Sequence, residues 1–379
     1  MGINLTLTNK PQQEKEALTF DTALAHRYTI LAINTGSTST KAAVYCDDNQ
    51  VLELSLSHSA EELAQFESIP EQAEWRKGLI LEALEKHDIA LESLSAVIGR
   101  GGLLRPIESG VYIVNDAMVE ELRTTKQQHA SNLSAPIAAQ IAAVCGVKAY
   151  IADPVVVDEL MELARWSGIE EIRRRSIFHA LNQKATARIY ADEIGRDYED
   201  LNLIVAHLGG GISVAAHKKG RVVDCNNALD GDGPIAPERA GTIPAGDLVE
   251  LCFSGKYSQK EIRSMLVGKG GLVSLTGSNS VKDIAARAEE GDAKSKLAID
   301  LMVYTVAKQI GQMAVALQGN IDAILLTGGI AHSKAITSAI SEYCRFLAPI
   351  EVYPGENELQ ALAQNALRVL RGEMEAKIY

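Results

Sequence analysis

The chain is 379 residues long, 46% apolar and 23% charged, with a formal net charge of −12. That length accommodates two domains with separate cores, and the excess of acid argues against a general nucleic-acid or polybasic membrane-binding role. Five scattered cysteines (Cys46, Cys145, Cys225, Cys252, Cys344) without metal-ligand spacing indicate neither a disulfide framework nor a zinc site, and no apolar stretch approaches membrane-spanning length, so reduced thiols in a cytoplasmic protein with no membrane partner are the expectation.

Residues 1–26 read as a polar extension, helical in part. The first strand, Ile30-Leu31-Ala32-Ile33, runs into the turn Asn34-Thr35-Gly36-Ser37-Thr38-Ser39 and returns as Thr40-Lys41-Ala42-Ala43-Val44. A further turn at residues 47–50 leads into a third strand at 51–56. Leu79 and Leu84 mark a helix over 71–87. Ala96-Val97-Ile98 is a short buried strand that empties into Gly99-Arg100-Gly101-Gly102. Residues 116–145 read as helical with an interruption near Pro136, and a strand over 147–151 ends at Asp153-Pro154. A helical span around 155–195 follows, with Arg173-Arg174-Arg175 as a solvated helix face.

The strand–turn–strand element then recurs: Leu203 to Leu208, Gly209-Gly210-Gly211, and Ile212 to Ala216. Laid over the first copy, His207 meets Asn34, Gly209 meets Gly36, and Ala215-Ala216 meet Ala42-Ala43. Residues 230–246 form a long Gly- and Pro-rich loop whose size suggests function. Helices are expected at 258–266, 280–289, 293–317, 332–342 and 358–372, with strands at 323–326 and 350–353. Alternating strands and helices, with a hairpin opening each half, give an α/β fold with mixed sheets.

Small-residue turns free backbone N–H groups to face an anion closely. Two of them suggest a duplicated fold around one phosphate-rich ligand. Gly36, Ser37 and Ser39 supply amides and hydroxyls for phosphate oxygens, and Asn34 can orient a metal-bound or transferring phosphoryl group. His207 followed by three glycines is read as functional, whereas His179 is equally open to a structural role. Arg100 and Arg239 each stand beside glycines, where a guanidinium fork suits a carboxylate or phosphoryl group. Gly328-Gly329-Ile330 is either a nucleoside platform or a tight turn. Asp153 either orients a substrate or metal-bound water, or caps the following helix. Glu358 either binds Mg²⁺ through water or favours the helix dipole.

With these residues in place, the chain resembles the acetate and butyrate kinases, the acetokinase family of the sugar-kinase and actin-like superfamily, from about residue 28 to about residue 372. The residues that carry the likeness are Ile33 to Lys41, Phe178-His179, His207 to Gly211, Arg100, Arg239, Asp153, Glu358 and Gly328 to Ile330. The resemblance implies a duplicated actin-like, ribonuclease H-like fold of two lobes about a central cleft. One lobe, the acid side, would be residues 27–155 with about 358–379; the other, the nucleotide side, residues 156–357. It implies ATP, Mg²⁺ and a short-chain carboxylate as ligands, giving ADP and an acyl phosphate by direct transfer. Arg100 would orient the carboxylate and Arg239 clamp the phosphoryl group, with His179 and His207 donating to its oxygens. Glu358, Asp153 and Asn34 would hold Mg²⁺, and Gly36, Ser37, Ser39, Gly209, Gly210, Gly211, Asp283, Gly328, Gly329 and Ile330 the nucleotide. A homo-oligomer, a dimer or larger, is implied as well.

Asn132-Leu133-Ser134-Ala135-Pro136 departs from the acetate kinase pattern, which has a His there. Residues 278–283 depart from its adenine Phe, and the aliphatic run Pro154-Val155-Val156-Val157 can wall a longer acyl chain. These departures favour the branch acting on butanoate, with propionate or isobutyrate as the alternative acids. A sugar kinase would need a base facing a hydroxyl and has no use for two Gly-flanked arginines. An actin-like ATPase switch would need partner-binding surface for which the chain has little spare length.

Overall fold

In the computed structural model, residues 28–379 are described; the expected N-terminal extension lies outside them. The chain divides into two units, one containing the described residues up to Val156 together with Asn357–Tyr379, the other Val157–Glu356.

The first unit is built on β1 (Thr29–Thr35), β2 (Ser39–Cys46), β3 (Asn49–Ser57), β4 (Ala96–Arg100), β5 (Val111–Ile113) and β6 (Lys148–Ala152). Ile30, Leu31, Ala32 and Ile33 are all fully buried, as a central strand covered on both faces requires. β2 pairs antiparallel with β1 and β3, while β4 runs parallel to β1 and to β6. Leu31 and Ile33 share a core with Ile80 and Leu84 of the helix Gln72–Lys86 and with Ile137 and Ile141 of the helix Ser134–Cys145.

The second unit repeats this plan with β7 (Asn202–Leu208), β8 (Ile212–Lys218), β9 (Arg221–Cys225), β10 (Ala323–Gly328) and β11 (Ile350–Pro354), in the order β11-β10-β7-β8-β9. It corresponds strand for strand to β6-β4-β1-β2-β3 of the first sheet. Both return strands even carry an irregularity, at Val44/Tyr45 and at Ala216/His217. The 24-residue helix Ala293–Ala316 packs on one face through Met302, Val306 and Ile310, against Ile204, Val214 and Leu326. The helix Ala180–Glu193 covers the other, with Ala187 and Ala191 against Leu203, Val205 and Leu325. The first sheet is longer than the second. The chain returns to it through the helix Glu358–Leu370, and the two-residue strand β12 (Lys377–Ile378) adds to β5.

Three expectations are corrected. The helical span around 155–195 is helical only over Ala180–Glu193; before it lies irregular chain with one short 3₁₀ turn at Glu162–Arg165. The arginine run sits in that irregular stretch, where Arg174 pairs with Asp224, Arg175 pairs with Asp230, and Arg173 lies over the Trp166 ring. Pro136 does not interrupt a helix: the break falls between Thr124 and Ala130, and Pro136 occupies the first turn of Ser134–Cys145, where its missing N–H costs nothing. The helix Ala245–Phe253 follows the long loop and was not anticipated. Among the described residues no helix is long and apolar enough to cross a membrane.

Candidate active site

In the first unit, parallel pairing of Ile33 with Gly99 sets the ends of β1 and β4 side by side. Asn34 and Arg100 stand at those ends, and both reach Glu358 at the start of the helix that returns to the unit. The Asn34 Nδ2 donates to Glu358 Oε2 at 2.5 Å, and Arg100 Nη1 donates to the same oxygen at 3.1 Å. Facing a carboxylate, the amide must present its nitrogen, which leaves Asn34 Oδ1 as the atom for a cation or a donor. Glu358 is almost fully buried, so the guanidinium and the amide replace its lost hydration.

Asp153 ends β6 with φ 39°, a left-handed conformation that Asp tolerates better than most residues. No helix follows it, so the capping alternative is excluded. Its Oδ1 accepts from the Ser109 hydroxyl at 2.6 Å and from the Gly110 N–H at 2.9 Å. Ser134, the residue in place of a histidine, is fully buried; its hydroxyl accepts the Thr35 backbone N–H and also bonds the Thr35 hydroxyl, a structural tie between β1 and the helix below.

In the second unit, His207 ends β7 and His179 immediately precedes the helix Ala180–Glu193. Their rings stack with centroids 3.7 Å apart and planes 10° from parallel. His207 Nδ1 lies 2.7 Å from Asn182 Oδ1, an acceptor, so that nitrogen carries the hydrogen. His207 Nε2 faces Glu356 Oε1 at 3.1 Å.

A buried chain of hydrogen bonds fixes the tautomer of His179. Burial, then Lys184 and Arg188, hold His217 well below the usual imidazole range. Neutral His217 takes the Tyr198 O–H on Nδ1 (2.7 Å) and donates from Nε2 to Gln183 Oε1 (3.0 Å). Gln183 Nε2 donates to the Ser213 hydroxyl at 2.8 Å, and the His179 backbone N–H donates to it at 3.3 Å. With both lone pairs of Ser213 taken, its proton goes to His179 Nδ1 at 2.8 Å. His179 therefore carries its hydrogen on Nε2, as a donor.

Arg239 is half-buried, and burial lowers its pKa against the opposing effect of Glu238. Its Nη1 donates to Ala228 O at 2.6 Å, while its buried Nε has no hydrogen-bond partner among the described residues. The glycines around it have steric reasons. A Cβ on Gly211 would lie 2.8 Å from Arg239 Nη1, and one on Gly209 2.9 Å from His207 Nε2. At Gly328, with φ +91°, a Cβ would lie 2.5 Å from Leu208 O.

A cavity of about 810 Å³ opens in this unit, lined in part by Gly209, Gly210, Gly329 and Ile330, while Gly211 and Gly328 are not in its lining. Volumes of this order accept a nucleotide-sized ligand. Its remaining wall includes Pro237, Glu238, His332, Ser333 and one face of the helix Val281–Glu289 (Val281, Lys282, Ala285, Ala286, Glu289). Asp283 is not in this lining; it is exposed on the first turn, its N–H donating to the Ser280 hydroxyl at 3.3 Å. The period of 281, 285 and 289 was a readable signal for that wall. Asn182, Gln183 and Ser213, which set the histidines, had no sequence signal beyond polarity.

Among the described residues no three His, Cys, Asp or Glu side chains cluster to hold a metal. Mg²⁺ does not demand such a cluster, since one or two carboxylates with water and phosphate oxygens suffice. Glu358 and the Asn34 carbonyl oxygen are hard donors of that kind.

A model of the acetokinase family matches residues 163–364. The chain is 52% identical over 354 residues to "Butyrate kinase 2" and 53% identical over 353 to "Butyrate kinase 1", both of Clostridium acetobutylicum, covering 93% of this chain and 99% of each relative. It is 54% identical over 350 residues to "Probable butyrate kinase" of Phocaeicola vulgatus, covering 92% of this chain and 99% of that one. Among solved structures, Porphyromonas gingivalis acetate kinase superposes with a TM-score of 0.76 at 18% identity, covering 91% of this chain and 100% of that one. A propionate kinase from Francisella tularensis gives 0.73 at 20% identity, with 89% and 99% covered. At such identities these structures speak for the fold, a duplicated α/β architecture. The chain belongs to the acetokinase family.

Proposed function

We propose that this chain phosphorylates butanoate, converting ATP and butanoate reversibly to ADP and butanoyl phosphate. Identity above 50% to two butyrate kinases over 99% of their length carries this reading. It is a phosphotransferase with a carboxyl group as acceptor, and two arginines with no required general base suit that acceptor.

In this reading the cavity of the second unit takes the nucleotide, its phosphates lying on Gly209, Gly210 and Gly211. Arg100 orients the carboxylate, whose oxygen attacks the γ-phosphorus in line as the bond to the ADP oxygen breaks. No proton need be removed from an ionised acid, so no general base is required. Charge spreads over the equatorial phosphoryl oxygens in the transition state. The Arg239 guanidinium, with its unpartnered Nε, and the His179 Nε2–H are preorganised donors for that charge. Glu358, Asp153 and Asn34 would hold Mg²⁺ largely through water, which supplies charge neutralisation at the phosphates.

The test is a hydroxylamine trap of acyl phosphate with Mg-ATP and unbranched acids from C2 to C6, plus isobutyrate. The expected result is hydroxamate formation with kcat/KM highest for butanoate. A maximum at propionate or isobutyrate would reassign the acid, since one methylene discriminates by only about 1–3 kcal/mol. No hydroxamate from any acid would overturn the reading.

A further inference from the structure

The helix Gln72–Lys86 buries a guanidinium in an otherwise aliphatic stripe. Arg76 is 0% exposed, one turn from Ile80 and two from Leu84, both also fully buried. Its Nη1 donates to Gly36 O at 2.8 Å, Ser39 O at 3.0 Å and Thr40 Oγ1 at 3.1 Å. Its Nη2 donates to Ser37 O at 3.4 Å and Gln72 Oε1 at 2.8 Å, and its Nε to the same Gln72 oxygen at 3.2 Å. Every partner is uncharged. A buried charge normally comes paired with an opposite one, yet among the described residues no acidic side chain partners Arg76.

The loop carbonyls drawn onto Arg76 have a geometric corollary. A trans peptide points its C=O and N–H to opposite sides, and the described chain has no cis peptide. With Gly36 O and Ser37 O turned inward, the N–H groups of Ser37 and Thr38 turn outward. Neither N–H meets an acceptor among the described residues, and both residues are exposed. Two successive outward amides can face one anion, with the buried Arg76 cation behind them.

We propose that Arg76 is a positioning residue for the phosphoryl-binding loop: it fixes the Ser37 and Thr38 amides toward an oxyanion and leaves its own charge to be balanced by that anion. The inference rests on the reading of Gly36 to Ser39 as the loop that meets the phosphoryl group. It explains why an arginine is buried under this turn without an acid. A neutral side chain could fill the space, but would neither hold three carbonyls nor offset the incoming charge.

Two measurements test it. In wild-type enzyme, the Ser37 and Thr38 amide resonances should shift on titration with inorganic phosphate; if both stay unmoved, the proposal falls. In the reverse reaction, Arg76→Met should lower kcat/KM for butanoyl phosphate on the order of 10²-fold, the scale of one lost electrostatic arrangement. Arg76→Lys, which keeps charge but not the fork, should recover about tenfold or more of that loss. ADP affinity by calorimetry should hold in both. A folded Arg76→Met enzyme retaining full kcat/KM overturns the proposal, as does a lysine variant no better than the methionine one. If Arg76→Met does not fold, the wild-type titration decides. A wild-type enzyme that forms no hydroxamate would instead sink the functional reading.

Discussion

Gly211 and Arg239 are a matched pair of residues. Because a Cβ on Gly211 would stand 2.8 Å from Arg239 Nη1 and 3.3 Å from Ala228 O, Gly211→Ala must push the guanidinium off its anchor. The expected outcome is a fall in kcat on the order of 10²-fold, as for loss of one preorganised donor, with thermal stability the control. A second residue-scale effect concerns pH. His58 is buried under the first loop, with Nε2 2.8 Å from Thr40 Oγ1, and burial followed by Arg76 lowers its pKa to about 4 against the opposing pull of Glu62. Between pH 6.5 and 4 the unfolded chain binds more protons at this site than the folded one, so stability is retained above that window and lost as pH falls through it. The loss attributable to His58 is up to about 3 kcal/mol. His217 acts in the same direction. Urea unfolding at several pH values should show a shallower dependence in His58→Gln; an unchanged slope would contradict this account. Asn34, Arg100, His207 and Arg239 stood out in the sequence as candidates because each stands beside glycines or at a strand end. Arg76 was not: its spacing to Ile80 and Leu84 is that of a core stripe, and only the tertiary fold shows what the stripe covers.

At the scale of elements, the helix Ala180–Glu193 matters because it aims His179, Asn182 and Gln183. It is tied down by Lys184, whose Nζ lies 2.9 Å from Glu159 Oε2, with 1% and 6% of the two side chains exposed. The same carboxylate oxygen accepts the Val222 N–H at 2.9 Å, joining helix, irregular segment and β9. Glu159→Ala leaves a buried ammonium without its counter-charge and should destabilise by about 3–5 kcal/mol. Adding Lys184→Met to that variant should restore part of the loss, as measured by denaturant midpoints; no recovery would mean the charge is not the cause. The segment holding Glu159 is also where sequence reading failed. Val157, Leu160, Met161 and Ala164 have helical spacing, yet Met161 N–H bonds Val223 O and draws the chain along β9. A local period cannot anticipate that competing partner.

For the molecule as a whole, the repeated loop in the sequence proved to be a repeated sheet, five strands in the same order. The glycines and buried strands of each hairpin made the duplication legible. The short strands β5 and β12 were too brief to leave a pattern. The copies differ in what surrounds them, and the large cavity lies wholly within the second unit. Ala286→Trp should fill part of its wall, raising KM for ATP about tenfold or more while leaving KM for the acid within about twofold; equal effects on both would speak against a nucleotide cavity. The return of the chain to the first unit has a consequence for biosynthesis. On the ribosome, the whole of Val157–Glu356 is translated before the helix Glu358–Leu370, whose buried face includes Glu358, Leu362 and Ala366. A nascent chain short of residue 358 carries Asn34 and Arg100 without their carboxylate, so the second unit can mature while the first still awaits its final helix.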